Sequence, residues 1–399
     1  MPSHVRAPAG LHTARLPGRW VFATLFLLES IARASIAAVI PIQAYDLLQN
    51  EQAVGTLYTI LGVAGLGTTM MLPILARMMP RRWLYSLGCL GLALASAAFM
   101  LHDLVGQVAG MFLRVFGAAA LSVTLSLYIL DAIGKRDLVR TESLRLALST
   151  AAWTAGPWLG VYLYTTYGYA VAFGWSGAWA LVLLATFWAF RLSDSPLRPG
   201  PAKPVNPVAN IARFVAQPRL RLAWLIAFMR SCFWSTFFVW VPIMMVAGGE
   251  GNLAGGLVVS AGNATLFSTL FWGPLAQRFS LRWIIAGSFL GIGLGSFAAG
   301  LVDPSWPWIA GGFLVFASLF AAALDGLGGI PFMRAVRSYE RAQMTSVYRT
   351  YLDASELVPP LVYTVLLVWF DLRAIFIVLG LAQLAVAVVA WRHLPRSMR

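Results

Sequence analysis

"LPILARMMPRRW" (residues 72–83) is echoed 200 positions later by "WGPLAQRFSLRW" (residues 272–283). Leu75/Ala76 and Arg82/Trp83 in the first copy recur as Leu275/Ala276 and Arg282/Trp283 in the second. Each copy is a short basic segment between two long apolar runs. An echo of this kind between two halves of a chain points to an internal repeat, and repeats within a membrane protein accompany alternating access.

The surrounding composition fits a membrane. The 399 residues are 59% hydrophobic and 11% charged, with a mean hydropathy of +0.76; soluble domains carry about 25% charged residues. Apolar runs near the ~20 residues that cross a bilayer as a helix lie at 20–46, 53–76, 83–101, 107–130, 145–167, 171–191, 221–246, 255–276, 283–301, 307–330, 346–369 and 373–391. The expected fold is an all-α polytopic membrane protein of about twelve spans in two six-helix pseudo-repeats.

Loop charges alternate along this series. One set holds Arg77/Arg81/Arg82, Lys135/Arg136/Arg140, Arg198/Lys203/Arg213/Arg219, Arg278/Arg282 and Arg334/Arg337/Arg341. The other holds Asp46/Glu51, His102/Asp103, Glu250, Asp303, and Asp371 with Arg373. Because Lys and Arg favour the cytoplasmic side, both termini are expected there, in the inner (plasma) membrane of a bacterium. The longest polar stretch, 191–221, holds five prolines between 196 and 207, and its "NPVANIARFVA" can form a short amphipathic surface helix. The expected organisation is a tail (1–19), a six-helix bundle (20–191), a linker (192–220), a second bundle (221–391) and a tail (392–399).

Several classes are excluded. The first apolar run is too long for a cleaved signal. The +14 net charge sits in short loops between apolar runs rather than on a soluble basic face, which argues against nucleic-acid binding. Cys89 and Cys232 lie singly inside apolar runs, and the histidines (His4, His12, His102, His393) lie in tails or loops, so no metal or other cofactor is expected. No nucleophile–base cluster marks an enzyme, and no G-x-x-x-x-G-K-[ST] loop marks an ATP-driven pump.

"GPLAQRFSLRW" (273–283) resembles the loop motif G-x-L-a-D-r-x-G-r-r of the major facilitator superfamily. "MFLRVFGAAA" (111–120) is similar to the arginine-bearing pattern of its helix 4, and "AGPWLG" (155–160) to the core of its helix-5 antiporter motif. The motif acid is replaced by Arg77 in the first copy and Gln277 in the second. Pro73 stands at the leading glycine of the first copy, Pro80 or Ser280 at the second glycine, and Gly117 comes one residue early. The resemblance implies a cytoplasmic gate built from Arg77, Arg81, Arg82, Asp131, Gln277, Arg278 and Arg282. Asp131 can close a helix-end pair with Lys135, or it can meet Arg81 or Arg82 as the family's acid does. Gly156, Pro157 and Gly160 imply the helix-5 bend of exporters.

Charges inside apolar runs carry the functional reading. "FLLESIARASIAAVIPI" (26–42) places Glu29 and Arg33 one turn apart on one helix face, deep enough that neither snorkels easily. They can be a neutral pair that only positions the helix. The favoured reading is a substrate or proton route, the usual role of intramembrane ionisable groups. Arg114, Arg230 and Asp325 fall in spans 4, 7 and 10, which with span 1 line the cavity in the family resembled. Arg349, Asp353 and Glu356 form a stripe on span 11 ahead of Pro359/Pro360.

Burial disfavours the charged form of a carboxylate unless a cation pairs with it, so Glu29, Asp325, Asp353 and Glu356 are candidate proton carriers, with Asp325 first and Glu356 second. Trp153, Trp234 and Trp240 could wall an amphiphile. The expected function is proton-coupled export of a small organic amphiphile or metabolite by a monomer contacting only substrate, protons and lipid. Proton-coupled uptake of an anionic solute is the alternative, and a non-transporting receptor or lipid-handling enzyme the reading from another class.

Overall fold

The computed structural model describes residues 18–133, 138–190, 207–337 and 340–395, and every regular element among them is a helix. In chain order they are α1 (Arg19–Ser35), α2 (Val39–Leu48), α3 (Glu51–Met78), α4 (Arg81–Phe99), α5 (Leu104–Ala132), α6 (Leu138–Tyr167), α7 (Tyr169–Ala189) and α8 (Pro207–Ala216). There follow α9 (Pro218–Ala247), α10 (Asn252–Ala264), a 3₁₀ turn at Thr265–Ser268, α11 (Thr269–Phe279), α12 (Leu281–Leu301), α13 (Pro307–Leu327), α14 (Ile330–Ala335), α15 (Arg341–Leu366) and α16 (Arg373–His393).

Helix starts follow local chemistry. Asn50 and Asp103 cap α3 and α5 by accepting hydrogen bonds from the Ala53 and Gly106 amides at 3.0 and 2.6 Å. Pro218, Pro307 and Pro331 open α9, α13 and α14, where a missing N–H costs nothing.

Among the described residues, ten segments are long and apolar enough to cross a membrane, against the expected twelve or so. The two others read from the sequence, α6 and α15, have the length, at 30 and 26 residues, but not the apolarity. Arg140, Glu142 and Arg145 lie in the first turns of α6, and Arg341, Arg349, Asp353 and Glu356 along α15. The apolar runs also break where one continuous span was expected. The first divides at Ile36–Ala38, the eighth carries the 3₁₀ turn, and the tenth divides at Gly328–Gly329. The amphipathic α8 forms where expected, with Phe214 buried beside Leu220, Phe332 and Met344, and Ile211 and Val215 exposed.

Close packing places the cavity helices. A Cβ on Gly160 would collide with the Ser35 carbonyl oxygen, and one on Gly156 would stand 2.7 Å from the Ala34 Cβ. The end of α1 therefore lies directly on the backbone of α6, and the glycines of "AGPWLG" serve that contact. On its other side α6 meets α10, where the Trp158 amide donates to Ser260 Oγ at 2.9 Å. A second seam joins α3 to α15. Thr59 and Thr364 hydroxyls lie 3.2 Å apart near one end of it, and Thr69 donates to Asp353 at 3.0 Å further along. Beyond Thr69, Met70, Met71, Ile74 and Met78 of α3 are exposed. Buried amides add cross-helix ties, with Gln107 donating to the Ile40 carbonyl and Gln383 to that of Met229; dry interiors demand such partners.

Candidate functional site

Between these seams lies a cavity of about 230 Å³, lined by residues that include Arg33, Tyr58, Arg114, Trp153, Phe238 and Glu356. It draws on α1, α3, α5, α6, α9 and α15, so helices from both sides of the 191–206 stretch build it.

Its first cation is held by one helical turn. Arg33 Nη1 donates to Glu29 Oε1 at 2.8 Å, as the i,i+4 spacing allows. The two partners occupy different surroundings. Arg33 is 28% exposed and reaches the cavity, whereas Glu29 is 1% exposed and lies within the apolar packing behind it. Glu29 Oε2 and Arg33 Nε are buried without hydrogen-bond partners among the described residues. Glu29 thus backs the cavity, and only Arg33 presents charge to it.

Arg114 and Glu356 complete the charged lining. Neither enters an ion pair among the described residues, and Arg114 Nε is buried with no acceptor. Glu356 Oε2 lies beside Gly65 of α3, 3.9 Å from where a Cβ on that residue would stand. A guanidinium from α5 and a carboxylate from α15 therefore face one cavity with hydrogen-bonding capacity to spare. A buried donor without an acceptor is costly, and a ligand that gives Arg114 Nε its acceptor recovers that energy.

A second cavity, of about 460 Å³, adjoins the first. Trp153 and Phe238 line both, packed edge-to-face with ring centroids 5.3 Å apart. Ser149, Thr150, Asn263 and Thr269 give this compartment neutral polar groups. At its edge Arg230 donates to Asp325 Oδ1 and, at 3.3 Å, to the Tyr351 hydroxyl. Trp234 Nε1 donates to Asp325 Oδ2 at 2.8 Å. Both oxygens of Asp325 are engaged, and the cluster ties α9 to α13 and α15. The second half thus does not offer Asp325 as an uncompensated acid: Arg230, 95 positions away in sequence, neutralises it.

The remaining candidates are dispersed. Asp353 lies at the α3–α15 seam on Thr69, outside both cavity linings. Trp153 and Trp234 line cavities; Trp240 is fully buried, edge-on to Tyr363. Arg81 is buried with its guanidinium 6.0 Å from the Tyr128 ring centroid, and Arg82 is exposed. Arg278 lies beside Phe279, and Arg282 lies 4.4 Å over Trp391. Lys135 and the side chains of Arg77, Asp131 and Gln277 lie outside the described residues. Pro157 sits with Gly156 and Gly160 in the α1–α6–α10 contact, its carbonyl 3.1 Å from a Cβ built on Gly256. Tyr58, Phe238 and Tyr351 join the site without any signal in their own spacing.

Comparison with known proteins agrees with this architecture. The sequence model of the Major Facilitator Superfamily matches residues 22–266. Among solved structures, the peptide transporter POT in complex with sulfate superposes with a TM-score of 0.77 at 14% identity, covering 98% of this chain and 97% of that one. The nucleoside transporter NupG (a D323A mutant) gives 0.75 at 12%, covering 94% and 100%. A POT family transporter in complex with 5-aminolevulinic acid gives 0.76 at 11%, covering 93% and 95%. At these identities the likeness is one of fold. No curated protein matches the chain by sequence.

Proposed function

The chain belongs to the Major Facilitator Superfamily, and on that premise we propose that it is a proton-coupled secondary transporter of a small zwitterionic or amphiphilic organic solute. The observation that carries this reading is that Arg114, with its Nε buried and without an acceptor, shares one cavity lining with the Glu356 carboxylate. An anionic group of the solute docks on Arg114 and Arg33, and a cationic or donor group docks on Glu356. Charge-assisted hydrogen bonds of this kind are about twice as strong as neutral ones. Trp153 and Phe238 take the apolar part, as aromatic walls do in solute sites. The 5-aminolevulinic acid bound by one of the solved structures is a small amino acid of this chemical type.

In this mechanism residues 20–191 and 221–391 move as two six-helix units. A solute bridging Arg114 and Glu356 belongs to both, so its arrival and departure change which closure is favoured. We assign the coupling proton to Glu356, ahead of Asp325, because Asp325 has both oxygens engaged. Glu356 accepts a proton when the solute site is empty and releases it when the solute's cationic group arrives. Export is the proposed direction, following the exporter-like Gly156-Pro157 bend. The guanidiniums of Arg33 and Arg114 in one lining favour a second reading, uptake of an anionic solute.

Flux into and out of proteoliposomes, with the proton gradient set in either direction and a panel of zwitterionic and anionic solutes, tests all of this. Expected is zwitterion movement against its gradient, driven by protons running the opposite way. Binding without flux identifies a receptor, and co-directional flow of protons and an anion establishes the second reading.

A further inference from the structure

The charged lining occupies only one side of the Trp153–Phe238 partition. Arg33, Arg114 and Glu356 all face the compartment of about 230 Å³, and the larger one, of about 460 Å³, adjoins it behind the two rings. The larger compartment therefore takes a different part of a solute from the head that those charges bind.

Its neutral polar groups come from three helices: Ser149 and Thr150 from α6, Asn263 from α10 and Thr269 from α11. Each has already placed a hydrogen on its own helix or the turn before it. Ser149 and Thr150 donate to the Leu146 carbonyl at 3.0 and 2.9 Å, Thr269 to that of Leu266 at 2.8 Å, and Asn263 Nδ2 to that of Val259 at 3.0 Å. A hydroxyl that donates to the preceding turn keeps its oxygen lone pairs, and an amide bonded through nitrogen keeps its carbonyl oxygen. No donor among the described residues bonds the side-chain oxygens of these residues. At the edge, Arg230 directs Nη1 and Nη2 to Asp325 and Tyr351, and the Trp234 indole donates to Asp325. The compartment thus presents acceptors and, with Arg230 and Asp325 paired, no uncompensated charge.

We propose that this compartment holds a neutral, hydroxyl-rich tail, so that the solute is a polyol or glycosyl conjugate of a zwitterionic head. The inference rests on the head-group site proposed above and names the class of solute that completes it. A hydroxyl-rich tail brings one donor with each oxygen and meets acceptors on α6, α10 and α11 together. An alkyl tail would strip water from these oxygens and return no hydrogen bond. A second cationic group would find no free carboxylate to balance it, because both oxygens of Asp325 are engaged. A sugar ring also offers a C–H face to the electron-rich faces of Trp153 and Phe238.

The test measures equilibrium binding to the purified full-length chain by calorimetry, so transport direction and coupling ion do not enter it. The ligands are serine, O-glucosyl-serine and O-tetrahydropyranyl-serine. The two derivatives share head and ring, and the second lacks the hydroxyl donors. Expected is O-glucosyl-serine bound about tenfold more tightly than O-tetrahydropyranyl-serine, the effect of one or two net hydrogen bonds. T150V/T269V, which exchanges two hydroxyls for methyl groups, should lower that ratio to about twofold, and T150S/T269S, which keeps the hydroxyls, should restore it. Should T150V/T269V not fold, T150V alone should still lower the ratio by about half. Equal affinity for the two derivatives overturns this proposal and leaves the head-group reading standing. So does a preference that persists unchanged in the valine variants, which would mean that the hydroxyls are read elsewhere. Failure of all three ligands to bind overturns the head-group reading, and this inference with it.

Discussion

Two ion pairs in the apolar interior, Glu29–Arg33 and Arg230–Asp325, are built on opposite principles. Glu29 and Arg33 share one helix and one turn, so their pairing needs no neighbour. Arg230 and Asp325 come from different helices and meet only because α9 packs beside α13, with Trp234 and Tyr351 completing the cluster. A pair within one helix leaves inter-helix geometry free, and its arginine keeps unused donor capacity towards the cavity. A pair between helices fixes that geometry and leaves the acid with nothing to spare. The first suits a group that meets a solute; the second suits a rigid wall.

The largest effect should therefore come from breaking the inter-helix pair. Asp325→Asn leaves Arg230 half-buried and uncompensated, and removing one partner of a buried pair costs ~3–5 kcal/mol. Because Arg230 and Asp325 are 19% and 23% exposed, a value of about 2–4 kcal/mol is expected, read as a lower unfolding temperature and lower yield of folded protein. Arg230→Gln combined with Asp325→Asn should recover much of the loss. A double variant no better than the singles shows that the cluster contributes more than charge balance.

Glu29→Gln should disturb stability less, by about 1–2 kcal/mol, since Arg33 can turn to the cavity for hydration. Transport should nevertheless fall at least tenfold while the folded protein still reaches the membrane, because Arg33, no longer held by Glu29, leaves the position in which it docks the solute's anionic group together with Arg114. Exchanging the two residues moves the cation one turn away from the lining. Normal transport by both variants makes the pair structural and erases the contrast drawn above.

Glu356→Gln should leave folding nearly unchanged, because the side chain has no ion-pair partner among the described residues to lose. Accumulation driven by a proton gradient should disappear while exchange of solute for solute continues. Retained gradient dependence in E356Q, together with its loss in D325N, returns the coupling role to Asp325. The smallest effect is expected at the α3–α15 seam, where Thr69→Val removes one exposed hydrogen bond to Asp353, worth about 0.5–1.5 kcal/mol. Its readout is a modest change in the rate of solute release, with equilibrium binding held within twofold.

Much of the architecture was legible in the residues. Low charge content and ~20-residue apolar runs specified membrane-crossing helices, and the three short motifs led to the family that the sequence model then established. The Glu29–Arg33 contact could be read directly, because a four-residue spacing places two side chains on one face whatever surrounds the helix. Loop prolines and the pattern of "NPVANIARFVA" likewise sufficed for α8. These are local properties, decided within one or two turns of chain.

Relations between helices were another matter. Lipid, packed core and a dry cavity wall are all apolar, so hydropathy does not tell which of them a residue faces. Successive residues turn by about 100° around a helix axis, and a small rotation decides whether an acid backs a cavity or enters it. That is why Glu29 turned out to lie behind the wall, and why Trp240 joined the core while Trp153 lined two cavities. It is also why Asp325, which reads as a free acid on its own helix, found Arg230. Sequence alone settled what this chain is made of and which solvent it occupies; tertiary packing alone set which charges meet, because it fixes each helix's rotation and partner.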